Sequence, residues 1–191
     1  MPLIMGILAQ AAAAPGPTPG VAAYDLLETE ILTAATTASV TFSSLDSYTD
    51  YQHLQLRITA RATTQPDPTR SISLRANGDS GSNYAAHRLN GNGSSVNSYA
   101  YTSQQQAYLG QVAGSNASAN VFGALVIDIL DFSNASKNTT FRSFSGIATN
   151  EVNIFSGLWN NTAAVTSLTI FCGGDNLGTG SRLSLYGLRS A

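Results

Sequence analysis

From Val21 onward the chain is a succession of short segments in which apolar and polar residues alternate, each closed by a cluster of Gly, Asn, Asp or Ser. A two-residue period fits a strand with one buried face, and no segment sustains the 3.6-residue period of an amphipathic helix. Leu54, Leu56 and Ile58 alternate with Gln55, Arg57 and Thr59, Ile72 and Leu74 stand among Ser71, Ser73 and Arg75, and Leu183 and Leu185 flank Ser184. Further strands are expected over residues 24–32, 38–42, 140–148, 152–159 and 165–172. The run 121–130 is apolar on both faces, which predicts a central strand, with Asp128 as its one charge. Only residues 98–110, with Gln104, Gln105 and Gln106, leave the element type open. About ten short strands at regular spacing, without an internal repeat, predict an all-β chain: an antiparallel β-sandwich of jelly-roll type.

The densest turn chemistry lies between Arg75 and Val96. Gly78, Gly81, Gly91 and Gly93 suit left-handed backbone, and Asn77, Asp79, Asn90 and Asn92 suit local hydrogen bonds to turns, so two reversals should bracket a strand from Tyr84 to Leu89. Alternation sets Ala85, His87 and Leu89 on one face and Ala86, Arg88 and Asn90 on the other. His87 is expected to lean inward with Leu89 and bond a neighbouring turn.

Residues 1–20 are expected to form an extended arm ahead of a sandwich domain at residues 21–191, because Pro15, Pro17 and Pro19 favour an extended backbone and exclude the segment from a central sheet. Leu3, Ile4, Ile7 and Leu8 make an apolar plug that water would not tolerate, so docking in a groove on another subunit is expected. The first residues imitate a secretory leader, with Ala9-Gln10-Ala11 like a cleavage site, but lack its basic start. No apolar run approaches the roughly 20 residues of a membrane span, so membrane insertion is not expected.

Charged residues are 10% of the chain and the formal net charge is −2, which leaves no electrostatic footprint for nucleic acid. The surface must therefore be mostly hydroxyl and amide groups, suited to packed neighbours or sugars. Lys137 is the only lysine among nine basic residues, and arginine favours fixed planar contacts. Cys172 stands alone, so it forms no intrachain disulfide and reads as a buried strand thiol.

Candidate chemistry is sparse. Gly78-Asp79-Ser80-Gly81 resembles the nucleophile loop of chymotrypsin-like serine proteases, with His53 upstream. The interval is too short for that two-barrel fold and His53 lacks the flanking motif, so a hairpin turn is expected and no catalytic residue is assigned. Asn77 to Asn83 is rich in oxygen ligands but holds one carboxylate, too few for Ca²⁺, so neither a metal site nor a cofactor is expected. The single acids offer no identifiable glycosidase pair, and Asp128 is expected to pair with an arginine and Asp131 to open a turn. Trp159, beside Asn160 and Asn161, reads either as core or as a sugar-stacking platform.

Gly6-Ile-Leu-Ala in the arm is followed by Tyr24-Asp-Leu-Leu-Glu, Ser39-Val-Thr-Phe-Ser-Ser-Leu and His53-Leu-Gln-Leu-Arg. Then come Asn77-Gly-Asp-Ser-Gly-Ser-Asn-Tyr-Ala-Ala-His-Arg-Leu, Phe122-Gly-Ala-Leu-Val-Ile-Asp-Ile-Leu-Asp and Ser156-Gly-Leu-Trp-Asn-Asn-Thr. Taken together, this pattern resembles small virion proteins of tailed bacteriophages over nearly the whole chain. The resemblance implies a non-enzymatic structural protein of the virion: a tail-fibre or tail-tip component or, alternatively, a capsid decoration protein of cement or head-fibre type. A carbohydrate-active hydrolase is the least expected reading. The partners it implies are other phage virion proteins and the chain itself as a symmetric oligomer, with a trimer the expected form. Leu3, Ile4, Ile7 and Leu8 would then anchor the protein to the particle. Trp159, Asn160, Asn161 and Tyr101 would be the contacts to a host-surface glycan or an interface.

Overall fold

The structure, a computed structural model, describes residues 24–34 and 36–189. The arm, with Leu3, Ile4, Ile7 and Leu8, lies outside the described residues. The described chain forms β1 (Tyr24–Ile31), β2 (Ser39–Phe42), β3 (His53–Ala60), β4 (Thr69–Ala76), β5 (Tyr84–Gly91) and β6 (Val96–Gln104). It continues through β7 (Ala107–Ala113), β8 (Gly123–Leu130), β9 (Thr139–Ile147), β10 (Glu151–Trp159), β11 (Leu168–Cys172) and β12 (Arg182–Leu188), with one short 3-10 turn at Leu45–Ser47.

Two antiparallel sheets pack face to face. The smaller runs β2-β11-β4-β7, and the larger begins β1-β12-β3-β8. Those two four-strand orders are what a pair of nested Greek keys produces, so the sandwich is a jelly roll. Two hairpins are inserted into it: β5–β6 between β4 and β7, and β9–β10 between β8 and β11. Both join the same sheet, which continues β8-β9-β10-β5-β6 to eight strands. The insertions meet through a regular pairing of β10 with β5, from Val152 opposite Gly91 to Trp159 opposite Tyr84.

One core fills the space between the sheets, with Leu54, Leu56, Ile58, Leu125, Ile127 and Ile129 from the larger and Ile72, Leu74, Leu168 and Ile170 from the smaller. At the edge of the smaller sheet β7 lies very close over β8 and β9, and small residues make the approach feasible. A Cβ on Gly123 would sit 2.7 Å from the Val112 Cα, and one on Gly110 would collide with Ser145. Ser143 Oγ donates to the Leu109 carbonyl, and the Gln111 N–H donates to Ser145 Oγ at 3.4 Å.

The expected strands form, and the open window at 98–110 resolves into β6 and β7. Its polar residues gave no period because β6 is exposed along most of its length. Two expectations change. Strand β8 is central in the sheet, between β3 and β9, but only its inner face is covered, and Val126 is 40% exposed. In the turns, Gly78 and Gly93 have the expected left-handed φ of +67° and +85°, joined by Asn77 at +52°, whereas Gly81 and Gly91 do not.

Candidate functional site on the outer face of the larger sheet

Register decides what the eight-stranded sheet shows to its outer side. Val126 lies opposite Phe144, Phe144 opposite Ile154, and Ile154 opposite Leu89, so four apolar side chains form one row across β8, β9, β10 and β5. They are 40%, 56%, 50% and 48% exposed. At the strand spacing of about 4.8 Å this is a stripe roughly 15 Å long. In the adjoining row Val152 pairs with Gly91 and Gly91 with Val96, extending the apolar surface onto β6. Contiguous exposed apolar surface of this kind marks a place where something packs.

The stripe stands between two shallow hollows. One, of about 470 Å³, lies beside Phe144 and is lined by Arg57, Thr59, Ala124, Arg182 and Tyr186. The other, of about 570 Å³, lies between Ile154 and the β5–β6 hairpin, lined by His87, Leu89, Ser98, Ala100 and Ser156. Asp128, Arg142 and Arg57 are joined in one network through Gln55. Asp128 accepts from Arg142 Nη2 at 2.8 Å and from Gln55 Nε2 at 2.8 Å, and Gln55 Oε1 accepts from Arg57 Nε at 2.9 Å. The Arg57 guanidinium in turn lies 5.4 Å from the Tyr24 ring and 4.8 Å from that of Tyr186. Asp128 thus has the arginine partner expected of it.

A network behind the sheet sets this display. On the inner face Arg88 Nη2 donates to both Glu151 oxygens at 2.9 Å, Arg88 Nε donates to Asn153 Oδ1 at 2.7 Å, and Asn90 Nδ2 donates to Glu151 Oε2 at 3.0 Å. The Tyr99 and Phe155 rings lie 5.4 and 5.7 Å from the same guanidinium. With Arg88 and Asn90 turned inward, His87 and Leu89 must point out. His87 is exposed, which corrects the inward placement expected for it. The sequence did hold a signal: Glu151 and Asn153 stand two apart on β10, the spacing that puts both on one face beside Arg88.

The remaining candidates divide plainly. Trp159 is 1% exposed and stacks on Tyr84 at 6.5 Å between ring centres. Its Nε1 donates to Asp79 Oδ2 at 2.7 Å, so it is core and cannot serve as a sugar platform. Asn160 is exposed, its Oδ1 accepting from Asn138 Nδ2, and Asn161 caps the Ala163 N–H. Tyr101 is half-buried, its ring 4.8 Å from that of Tyr108. These side chains are not gathered with Trp159 into one surface.

In the protease-like loop, Asp79 also accepts from Asn83 Nδ2 and the Gly81 N–H. The bond from Trp159, then that from Asn83, holds its carboxyl below the usual carboxylate range. His53 Nδ1 accepts from the Asp131 N–H at 2.9 Å, at another turn. Bonds from Lys137 and Gln52 hold the Asp131 carboxyl low as well. The segment from Asn77 to Asn83 is a hairpin corner, and Asp131 opens a turn by accepting from the Asn134 N–H. Cys172 is buried, which pushes its thiol up to about 11. Among the described residues no three His, Cys, Asp or Glu side chains gather as a metal site, and no helix is long and apolar enough to cross a membrane.

The chain is thus an all-β jelly roll whose larger sheet is widened by two hairpins and carries an uncovered apolar stripe. No protein-family model and no curated protein matches it. Among solved structures it is similar to an alginate lyase, once as a mutant holding an alginate tetrasaccharide at TM-score 0.28 and once alone at 0.27. Each pairing has 11% identity and covers 74% of this chain and 72% of the other. It is also similar to the receptor-binding domain of a botulinum neurotoxin, at 7% identity and TM-score 0.25, over 88% of this chain and 42% of that one. Likenesses this slight do not bear on what the chain does.

Proposed function

We propose that this chain is a non-enzymatic structural protein of a bacteriophage particle, a tail-fibre or tail-tip component held in the virion by its N-terminal arm. The observation that carries the reading is the apolar row Val126-Phe144-Ile154-Leu89, exposed on a low-charge sheet face. A protein working free in solution gains nothing from such a face, whereas a particle subunit covers it with a neighbour. The resemblance of the whole sequence pattern to small phage virion proteins supports the same reading. A host-surface glycan would meet Asn160 and Asn161, since Trp159 is interior and Tyr101 packs against Tyr108.

The test uses particles assembled with the Phe144→Asp, Ile154→Asp double variant. Both side chains are exposed, so the isolated protein keeps its fold while incorporation into particles falls at least tenfold. Undiminished incorporation would overturn the reading. Imaging of labelled particles distinguishes a tail component from a capsid decoration protein.

A further inference from the structure

A sheet edge presents unpaired N–H and C=O groups, and proteins guard such edges with charge, shortness, bulges or cover. Among the described strands, three of the four sheet edges are guarded. Strand β1 carries Asp25, Glu28 and Glu30 and a bulge between Leu26 and Glu28. Strand β2 is only four residues long. Strand β7 is largely buried over the larger sheet, and the Ala113 carbonyl at its end accepts from the Ala62 N–H at 2.8 Å. The fourth edge, β6, is guarded only by a bulge near its far end, between Tyr101 and Gln104, and is open from Val96 to Tyr101. Its nine residues, Val-Asn-Ser-Tyr-Ala-Tyr-Thr-Ser-Gln, include no charge and no proline. From Val96 to Tyr101 it pairs with β5 without a register shift, and it turns aside only where Ser103 takes a φ of +55°.

We infer that β6 is the edge through which two copies of this chain pair, antiparallel about a two-fold axis, joining their larger sheets into one. An antiparallel two-fold sets a strand against itself, so a strand with several charges of one sign sets like charges against each other. On β1 that would bring three carboxylates against three, whereas β6 brings only amides, hydroxyls, small side chains and tyrosines. The apolar surface also runs to this edge. Val96, 74% exposed, ends the row shared with Val152, and pairing joins the apolar faces of both copies across the axis. An isologous edge pairing closes at two, which accounts for an unguarded edge that does not lead to open-ended stacking. The pairing stands apart from the virion role proposed above and replaces the trimer expected from the resemblance.

Light scattering on the full-length protein at micromolar concentration should give the mass of two chains. Ser98→Lys with Ala100→Lys, both at exposed positions of β6, should give the mass of one chain with an unchanged strand signal in circular dichroism. Independently, single cysteines placed at Asn97, Ser98 and Tyr99 should yield a covalent dimer from at least one position on mild oxidation, because the native Cys172 is buried. A monomeric or trimeric wild type, a dimer that survives the lysine pair, or failure of all three cysteines to cross-link would overturn the inference. So would a dimer lost on deleting residues 1–20, since the arm would then be what holds the copies together.

Discussion

Trp159 shows how one side chain ties a strand to a turn far away in sequence. Its ring stacks on Tyr84 at the last β5–β10 pair, and its N–H reaches Asp79 in the corner after β4. Trp159→Phe keeps the stacking but removes a donor to a carboxylate, so a loss of about 1.5–3 kcal/mol is expected from urea midpoints near neutral pH. The Asp79 pKa is lowered in the folded state, so its contribution is present above the ordinary carboxylate pKa and lost as pH falls through the folded value. In the variant that acid-sensitive part shrinks. Tyr84 and Cys172 work in the opposite direction. Burial raises them to about 12 and about 11, so the stability tied to their neutral forms is intact below about 9 and lost as pH climbs through those values. A phenolate absorbance titration should show one tyrosine ionising near 12, together with unfolding. From sequence alone Trp159 could be core or platform, because nothing local reveals that Asp79 waits to accept its N–H.

Strands were the most legible elements, since a two-residue period is written directly into β3, β4 and β12. The period does not say which face is covered, and β5 is where it misleads. Leu89 faces outward and Arg88 inward because β10 supplies Glu151 and Asn153 at matching register. Arg88 and Glu151 side chains are only 12% and 9% exposed, so Arg88→Ala strands a nearly buried carboxylate. A cost of about 3–5 kcal/mol is expected, with a smaller loss in Arg88→Met, Glu151→Leu, where both charges go together. Chemical denaturation of the two variants side by side checks this. Exchange of His87, by contrast, should leave stability unchanged, as its ring stands in solvent.

At the scale of the whole molecule, the jelly-roll class was readable from strand spacing, but the placing of the two hairpins was not. No local signal says that β5 will lie beside β10, since that neighbour is chosen by packing of the finished sheet. The apolar outer stripe was hidden for a related reason. Alternation equates apolar with buried, so Val126 and Leu89 read as interior, and no sequence signal assigned Phe144 and Ile154 a face until register placed all four outside. Because both side chains are exposed, aspartate at Phe144 and Ile154 should shift the unfolding midpoint little while lowering incorporation at least tenfold. The order β1-β12-β3-β8 also governs when the chain can fold. Strand β12 is the wedge between β1 and β3, with Leu185 opposite both Glu28 and Leu56. Until the ribosome has released Arg182–Leu188, β1 has no partner and β3 has one bare side. The larger sheet must therefore close after synthesis of β12, and a nascent chain stalled before that point exposes sticky strands for a chaperone to hold.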